Sequence, residues 1–442
     1  MLVKGIPLLT PELSWMLVGE RMAEGGVLYK DIWYQLEPFS AGFYCFIDYI
    51  FGKSQLSYQI INIILIFIQA LVFNLITNFN NIYNDRSCIP GLIYLLFGSL
   101  FFDFATLSPI VMGITFLLPA FNLLLVQLRT KENEDMLLYI GMLSGIASLF
   151  YLPLVFFPIF VMLVLILYIH PPIRLYFTLL AGFIMPFMLV VCFYFLKGGL
   201  NNFYFIVIQS FFTISISPVI SFTSLLLILL PVAIICAISL FVISTKSKYI
   251  NYQYLIVKVT GVWFFVGGIF LIFVKNIEPY HLLLFIIPAA MLATHFFLIL
   301  KSKIIKEVIF MLLAFAVVAL NYGNMYGYLK MYTISTDRMV IKDNGNYKKY
   351  ENKKILILGY EPEAYIHSKM ATPYYNWDLA AKQLTGLQNY FNMAEIYKNF
   401  AKDLPEVIID KQNIIPSIFY RIPALEDKYS KVEKNIYQLK KS

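Results

Sequence analysis

The sequence predicts an α-helical protein that crosses a membrane several times and ends in a small α/β domain. Three observations predict it. Of the 442 residues, 60% are hydrophobic and only 14% charged, whereas soluble domains run near half apolar and a quarter charged. The apolar residues fall in blocks long enough for a hydrocarbon core of roughly 30 Å. Composition then changes after Tyr322, where Lys, Tyr, Asn and Glu take over.

Residues 1–55 read as a first loop with amphipathic helices. Within it, Pro11 to Gly52 gathers Glu12, Glu20, Arg21, Glu24, Lys30, Asp31, Glu37 and Asp48 ahead of the apolar body. So many ionisable groups beside a membrane point to a surface site; the plainer reading is a solvated loop. The first 18 residues do not read as a cleavable signal peptide, since their apolar core is short and broken and lacks a small-residue cleavage site.

Residues 56–323 form the helical body. About ten spans are expected, at 56–79, 90–103, 109–128, 136–152, 153–169, 173–196, 222–244, 255–274, 281–300 and 304–323; the second is short enough for a half-span. Residues 200–220 are aromatic-rich and irregular, suited to an interfacial helix or a re-entrant loop. Arg86, Arg129 with Lys131, Arg174, Lys246 with Lys248, and Lys301, Lys303 and Lys306 occupy alternate connections. These connections are therefore expected to be cytoplasmic. The opposite connections carry the first loop, Asp103, residues 197–221 and the stretch from Lys275 to His281, all expected outside with everything after Tyr322. An outside first loop implies either a further helix ahead of Met1, which the apolar Met1–Pro7 favours, or a loop translocated on its own.

Residues 324–442 are expected to be an extracytoplasmic α/β domain. KILILG (354–359) and PEVIID (405–410) suit buried strands. WDLAAKQLTGLQNYF and MAEIYKNFAKDL between them read as helices, and SKVEKNIYQL as a closing strand. The +8 net charge lies in loops and tail, so it carries topology and argues against a nucleic-acid partner. Cys45, Cys88, Cys192 and Cys236 are far apart with no C-x-x-C, which argues against a disulfide framework or zinc site.

With loop, orientation and tail in place, the chain resembles the GT-C superfamily of polytopic glycosyltransferases, in its protein O-mannosyltransferase and aminoarabinose-transferase branch. PELSWMLVGERMAEGGVLYKDIW resembles that branch's first outer loop, with an acidic helix start leading to Tyr29-Lys30-Asp31. EPFS and IFGKS fit the rest of the loop, and KNIEPYHLLLFIIPAAMLATHF resembles a late outer loop and helix. The family usually opens its first loop with Asp, where this chain has Pro11-Glu12.

The resemblance implies transfer of a sugar from a polyprenyl-phosphate donor to an extracytoplasmic lipid, glycan or protein acceptor, in the bacterial inner membrane. It implies Glu12, then Asp31, as the general base. For Glu12 the plainer role is a helix-start carboxylate after Thr10 and Pro11. Lys275, His281 and Arg21 are candidates for the donor phosphate, against snorkelling for Lys275 and plain interfacial placement for His281. Asp103 and Glu37 make a second acidic site, for acid chemistry or a divalent metal ion, the one cofactor left open. His170 reads as part of a turn and His295 as a packed polar residue. With 40 Phe and 32 Tyr, aromatics are too common here for any one to be assigned to a lipid-tail groove. Membrane lipids are partners in any case, and an envelope protein partner belongs to the rival reading, a non-catalytic component of an envelope assembly or secretion machine. A transporter comes third, because no internal repeat or deep paired charge is visible.

Overall fold

The computed structural model describes residues 6–130, 133–209, 219–246, 250–274, 277–300, 302–325 and 339–440. In chain order the helices are α1 (Thr10–Ala23), α2 (Pro38–Phe51), α3 (Gln55–Phe79), α4 (Ile89–Gly98), α5 (Pro109–Thr130), α6 (Glu134–Phe150), α7 (Phe156–Val164) and α8 (Ile173–Lys197). They continue with α9 (Leu200–Phe203), α10 (Phe222–Lys246), α11 (Asn251–Phe273), α12 (Ile286–Ile299) and α13 (Lys303–Met325). A mixed region follows, with β1 (Lys354–Leu358), β2 (Lys369–Met370), α14 (Trp377–Thr385), α15 (Tyr390–Lys402), β3 (Val407–Asp410), α16 (Ile415–Arg421), α17 (Pro423–Glu426), β4 (Tyr429–Glu433) and β5 (Ile436–Leu439).

The chain forms two compact units. One takes residues 1–7, 56–192 and 211–339; the other takes 8–55, 193–210 and 340–442. The second unit is thus discontinuous, whereas composition alone draws boundaries at 55 and 323.

In the helical unit, eight helices among the described residues are long and apolar enough to cross a membrane. The expected figure of about ten is corrected by two short members. The segment expected at 90–103 holds only the 10-residue α4, roughly 15 Å long at 1.5 Å per residue, because the chain leaves the helix at Ser99 and coils into a 3-10 turn, Phe102–Ala105. The segment expected at 136–152 is the 17-residue α6, which starts with Glu134 and Asp135.

Outward faces suit lipid: Ile63, Ile64, Phe67, Ile68, Leu71 and Leu75 of α3 are all exposed. Inward faces use small residues and amides, the usual adhesives between helices in a membrane. A Cβ on Gly141 would lie 2.2 Å from the Leu179 carbonyl oxygen, and one on Gly182 2.3 Å from that of Leu138. Only glycine lets α6 and α8 approach that closely. Gln69 of α3 donates to the Val111 carbonyl and accepts from the Tyr94 hydroxyl, at 2.8 and 2.9 Å.

Connections expected on one side of the membrane meet at one end of this unit. Arg129 donates to the Asn80 carbonyl and lies 4.6 Å over the Tyr252 ring; Gln253 donates to Asn84 at 2.9 Å. Connections expected on the other side also meet: Tyr280 N–H reaches Asp103, and Val219 N–H reaches the Ile277 carbonyl at 3.1 Å. The alternation of basic loops therefore agrees with the helix order. Of the irregular stretch 200–220, residues 210–218 lie outside the described residues; Leu200–Phe203 is helical and 204–209 is a π-turn.

In the other unit a five-stranded sheet has the order β2-β1-β3-β5-β4. The first three strands are parallel, and the β4–β5 hairpin, expected as one strand, adds antiparallel to β3. Helices bury Ala380, Leu384, Ile396, Phe400 and Ile418 against Leu356 and Ile408 of the sheet. The first loop belongs to the same unit. Its helices α1 and α2 cross where a Cβ on Gly19 would stand 2.8 Å from the Tyr44 carbonyl, with Trp15 stacked on Tyr44.

Candidate active site

In the helical unit the candidate chemistry centres on Asp103. Its turn is held by two amides: Asn62 of α3 donates to the Phe104 carbonyl at 2.8 Å, and Asn321 of α13 to that of Ser99 at 2.8 Å. Asp103 is fully buried, and its Oδ2 accepts the Tyr280 N–H at 2.8 Å. Its Oδ1 is out of solvent and has no hydrogen-bond partner among the described residues. Burial pushes this carboxyl up to about 7, against the pull of the Tyr280 bond.

The partner turn is Glu278-Pro279-Tyr280-His281. Proline starts a 3-10 turn, Pro279–Phe285, and holds Glu278 extended before it. Glu278 N–H donates to His281 Nδ1 at 2.9 Å, so the neutral ring carries its proton on Nε2, as that hydrogen bond assigns it. The His281 ring lies 4.2 Å from that of Tyr280 and 5.7 Å from that of Tyr151. Glu278 is partly buried as a residue, but Oε2 is shielded from water and has no hydrogen-bond partner among the described residues. Burial first, and the Asp103 charge second, push its carboxyl well up.

The structure thus brings Asp103 and His281 together through one turn. Lys275 lies outside the described residues. Glu278 was missed in the sequence; a carboxylate directly before Pro at the mouth of an apolar run was the available signal.

In the loop unit the predicted residues are each engaged within that unit. Glu12, in the first turn of α1, is fully buried. Its Oε2 accepts the Leu9 N–H at 3.5 Å and the Gln55 amide at 2.9 Å, the back-reaching bond of a helix-start carboxylate. Asp31 accepts the Val27 N–H at 3.1 Å and the Lys402 ammonium at 2.5 Å. Arg21 is paired with Asp403 and lies 3.5 Å from Glu24. Glu37 is the residue before α2, its carbonyl accepting the Ala41 N–H at 3.0 Å.

Asp403 was also missed. It is buried between Arg21, Lys354 at 2.7 Å and the Thr372 N–H at 3.0 Å. Nothing local in the sequence marks it, because its partners are distant along the chain. Lys53 plays a similar part, 3.6 Å from Glu20 and donating to the Tyr365 and Ser368 carbonyls at 2.9 and 3.0 Å. Burial raises Glu20 and lowers Lys53.

Among the described residues no group of three or more His, Cys, Asp or Glu is placed to hold a metal ion, and His281 Nδ1 is turned to the Glu278 N–H.

No known family model matches the chain, and no curated protein does. Solved structures do. ArnT from Cupriavidus metallidurans in the apo state matches with a TM-score of 0.54 at 11% identity, covering 98% of this chain and 93% of ArnT. The same protein bound to undecaprenyl phosphate matches with a TM-score of 0.54 at 10% identity, over 96% and 93%. At this identity the likeness speaks to the fold, and it spans nearly the whole of both chains. The chain is an α-helical polytopic membrane protein that shares its fold with the ArnT structures.

Proposed function

We propose that the protein transfers a sugar from a polyprenyl-phosphate donor to an acceptor on the extracytoplasmic side of the inner membrane. The observation that carries this reading is the near full-length likeness to ArnT, a GT-C glycosyltransferase with one structure bound to undecaprenyl phosphate. The alternation of basic connections supports an outside location for the first loop and the residues after Tyr322.

Transfer requires a base to take the acceptor proton while the acceptor oxygen attacks the anomeric carbon and the lipid phosphate departs with the bonding electrons. Asp103 suits the base best. One oxygen is anchored by a backbone N–H, the other is unengaged among the described residues, and burial brings the carboxyl's proton affinity to the working range. Glu12 is the alternative from the first loop and Asp31 the third choice, since its carboxylate is held by Lys402. His281, with its proton on Nε2, and Lys275 are the proposed donors to the leaving phosphate. Arg21 ranks below them because Asp403 takes its charge.

One observation favours the rival, a non-catalytic envelope component: both first-loop carboxylates have structural partners, Glu12 at Leu9 and Gln55 and Asp31 at Lys402. Incubating the purified protein with a panel of polyprenyl-phosphate sugars, while measuring donor binding, separates the readings. Donor binding with turnover supports transfer; no binding of any donor supports the rival.

A further inference from the structure

A surface pocket of about 450 Å³ opens in the loop unit, between the end of α14 and one face of α16. That size falls among small-molecule sites. Local sequence builds both walls. Ile415, Ile418 and Phe419 turn into the core, so the helical period leaves Ser417, Tyr420 and Arg421 on the outward face of α16. Asp410 fixes the start of this short helix by accepting the Ile414 and Ile415 N–H groups at 3.1 and 2.8 Å. Opposite, α14 ends at Thr385 and the chain turns at Gly386, whose carbonyl accepts the Asn392 amide at 3.0 Å. Leu387 then enters the core and Gln388 stays exposed at the rim.

The lining combines three kinds of chemistry. The Tyr420 ring is 82% exposed, an apolar face held in water. Gln388 and Ser417 can both donate and accept, while the Thr385 hydroxyl, which donates to the Ala381 carbonyl at 2.7 Å, is left as an acceptor. Arg421 can only donate, and it has no ion pair among the described residues. A pocket elsewhere in the unit differs on that point. Its Lys349 meets Glu433 at 2.7 Å and its Lys411 meets Glu361 at 3.3 Å, so those charges are already matched.

We infer that the pocket between α14 and α16 binds an anionic sugar, with the C–H face of the sugar on Tyr420 and its carboxylate or phosphate on Arg421. Gln388, Ser417 and Thr385 then serve the hydroxyls. An aromatic face beside mixed donors and acceptors fits a sugar better than a bare anion, and the donor-only guanidinium fits a negative substituent. The pocket shares no residue with the proposed transfer site, so binding here is measured without turnover and stands or falls apart from it.

The test is a ligand-observed NMR titration of purified full-length protein with glucuronate, glucose 6-phosphate, glucose and inorganic phosphate. At least one anionic sugar is expected to bind about tenfold tighter than glucose, the scale of a hydrogen bond to a charged group. The tighter of the two identifies carboxylate or phosphate as the group at Arg421. Arg421→Gln is expected to abolish the preference over glucose. Tyr420→Ala is expected to weaken every sugar by about fivefold and leave inorganic phosphate unchanged. Both side chains are exposed, so both variants should melt with wild type. Lys434→Gln, in the other pocket, should bind like wild type. Absence of sugar binding, a preference that survives Arg421→Gln, or sugar binding indifferent to Tyr420→Ala overturns the inference. Inorganic phosphate that binds as tightly as the anionic sugars reduces the pocket to a plain anion site and overturns it too.

Discussion

The two units differ in how they hold most of their shielded carboxylates, with Asp48 of the loop unit, whose Oδ1 also lacks a hydrogen-bond partner among the described residues, as an exception. In the loop unit Glu24 meets Lys369 at 2.5 Å, Asp31 meets Lys402 at 2.5 Å, Glu20 lies 3.6 Å from Lys53, and Asp403 sits between Arg21 and Lys354. The pairs of Glu24, Asp31 and Arg21 join the first loop to the residues after 340 within one compact unit. In the helical unit Asp103 and Glu278 each have one oxygen shielded from water that has no hydrogen-bond partner among the described residues. A paired carboxylate fixes a loop. An unpaired buried one costs stability, and such groups concentrate at sites where a proton must move. On the proposed reading the charge-rich segment is largely architecture, and the chemistry sits on a quieter turn.

The contrast can be broken most forcefully at Asp103. Asp103→Asn should lower turnover by about 10²–10⁴-fold, the usual worth of a positioned base, while leaving the protein folded. Stability supplies an independent sign. Because the Asp103 carboxyl is pushed up to about 7 in the folded chain, its contribution is fully present below the unfolded carboxylate value and is lost as pH rises through about 7. Wild type should melt at a lower temperature at pH 8 than at pH 5, and Asp103→Asn should reduce that difference.

The paired side of the comparison is tested at Asp403. Removing it in Asp403→Ala leaves Arg21 and Lys354 without their shared partner. A loss of about 3 kcal/mol is expected from breaking a buried pair, read as faster hydrogen exchange across residues 10–55 relative to the spans. Gly182→Ala, a control in the helical unit, places a methyl against the Leu138 carbonyl and should cost about 1–3 kcal/mol by overpacking. That loss should show in thermal melting without moving the pH profile. The smallest effect belongs to Lys402→Ala: the lysine is 60% exposed, so its pair with Asp31 should be worth no more than about 1 kcal/mol.

Much of the fold was legible because its signals are local. Apolar runs located the spans, KILILG and PEVIID located β1 and β3, and the basic connections sorted helix ends that the structure brings together. The break after α4 was not legible, since FFDFA is largely apolar like the helix before it and its 3-10 turn is held by Asn62 and Asn321 from distant helices. The partners of the first loop were hidden for the same reason. Arg21 and Asp403 are far apart in sequence and follow no pattern. Of the candidate site, Asp103 and His281 could be named from their places beside apolar runs. Glu278 was overshadowed by Lys275 and His281 around it, and that its turn is the one holding Asp103, through the Tyr280 N–H, is visible only in the tertiary structure.

The most direct test of the account is sugar transfer from polyprenyl-phosphate donors by purified wild type, Asp103→Asn and Asp31→Asn, each checked for folding. The account predicts turnover by wild type, near-complete loss in Asp103→Asn, and largely retained activity in Asp31→Asn. Full activity in Asp103→Asn with loss in Asp31→Asn would contradict it and return the chemistry to the first loop.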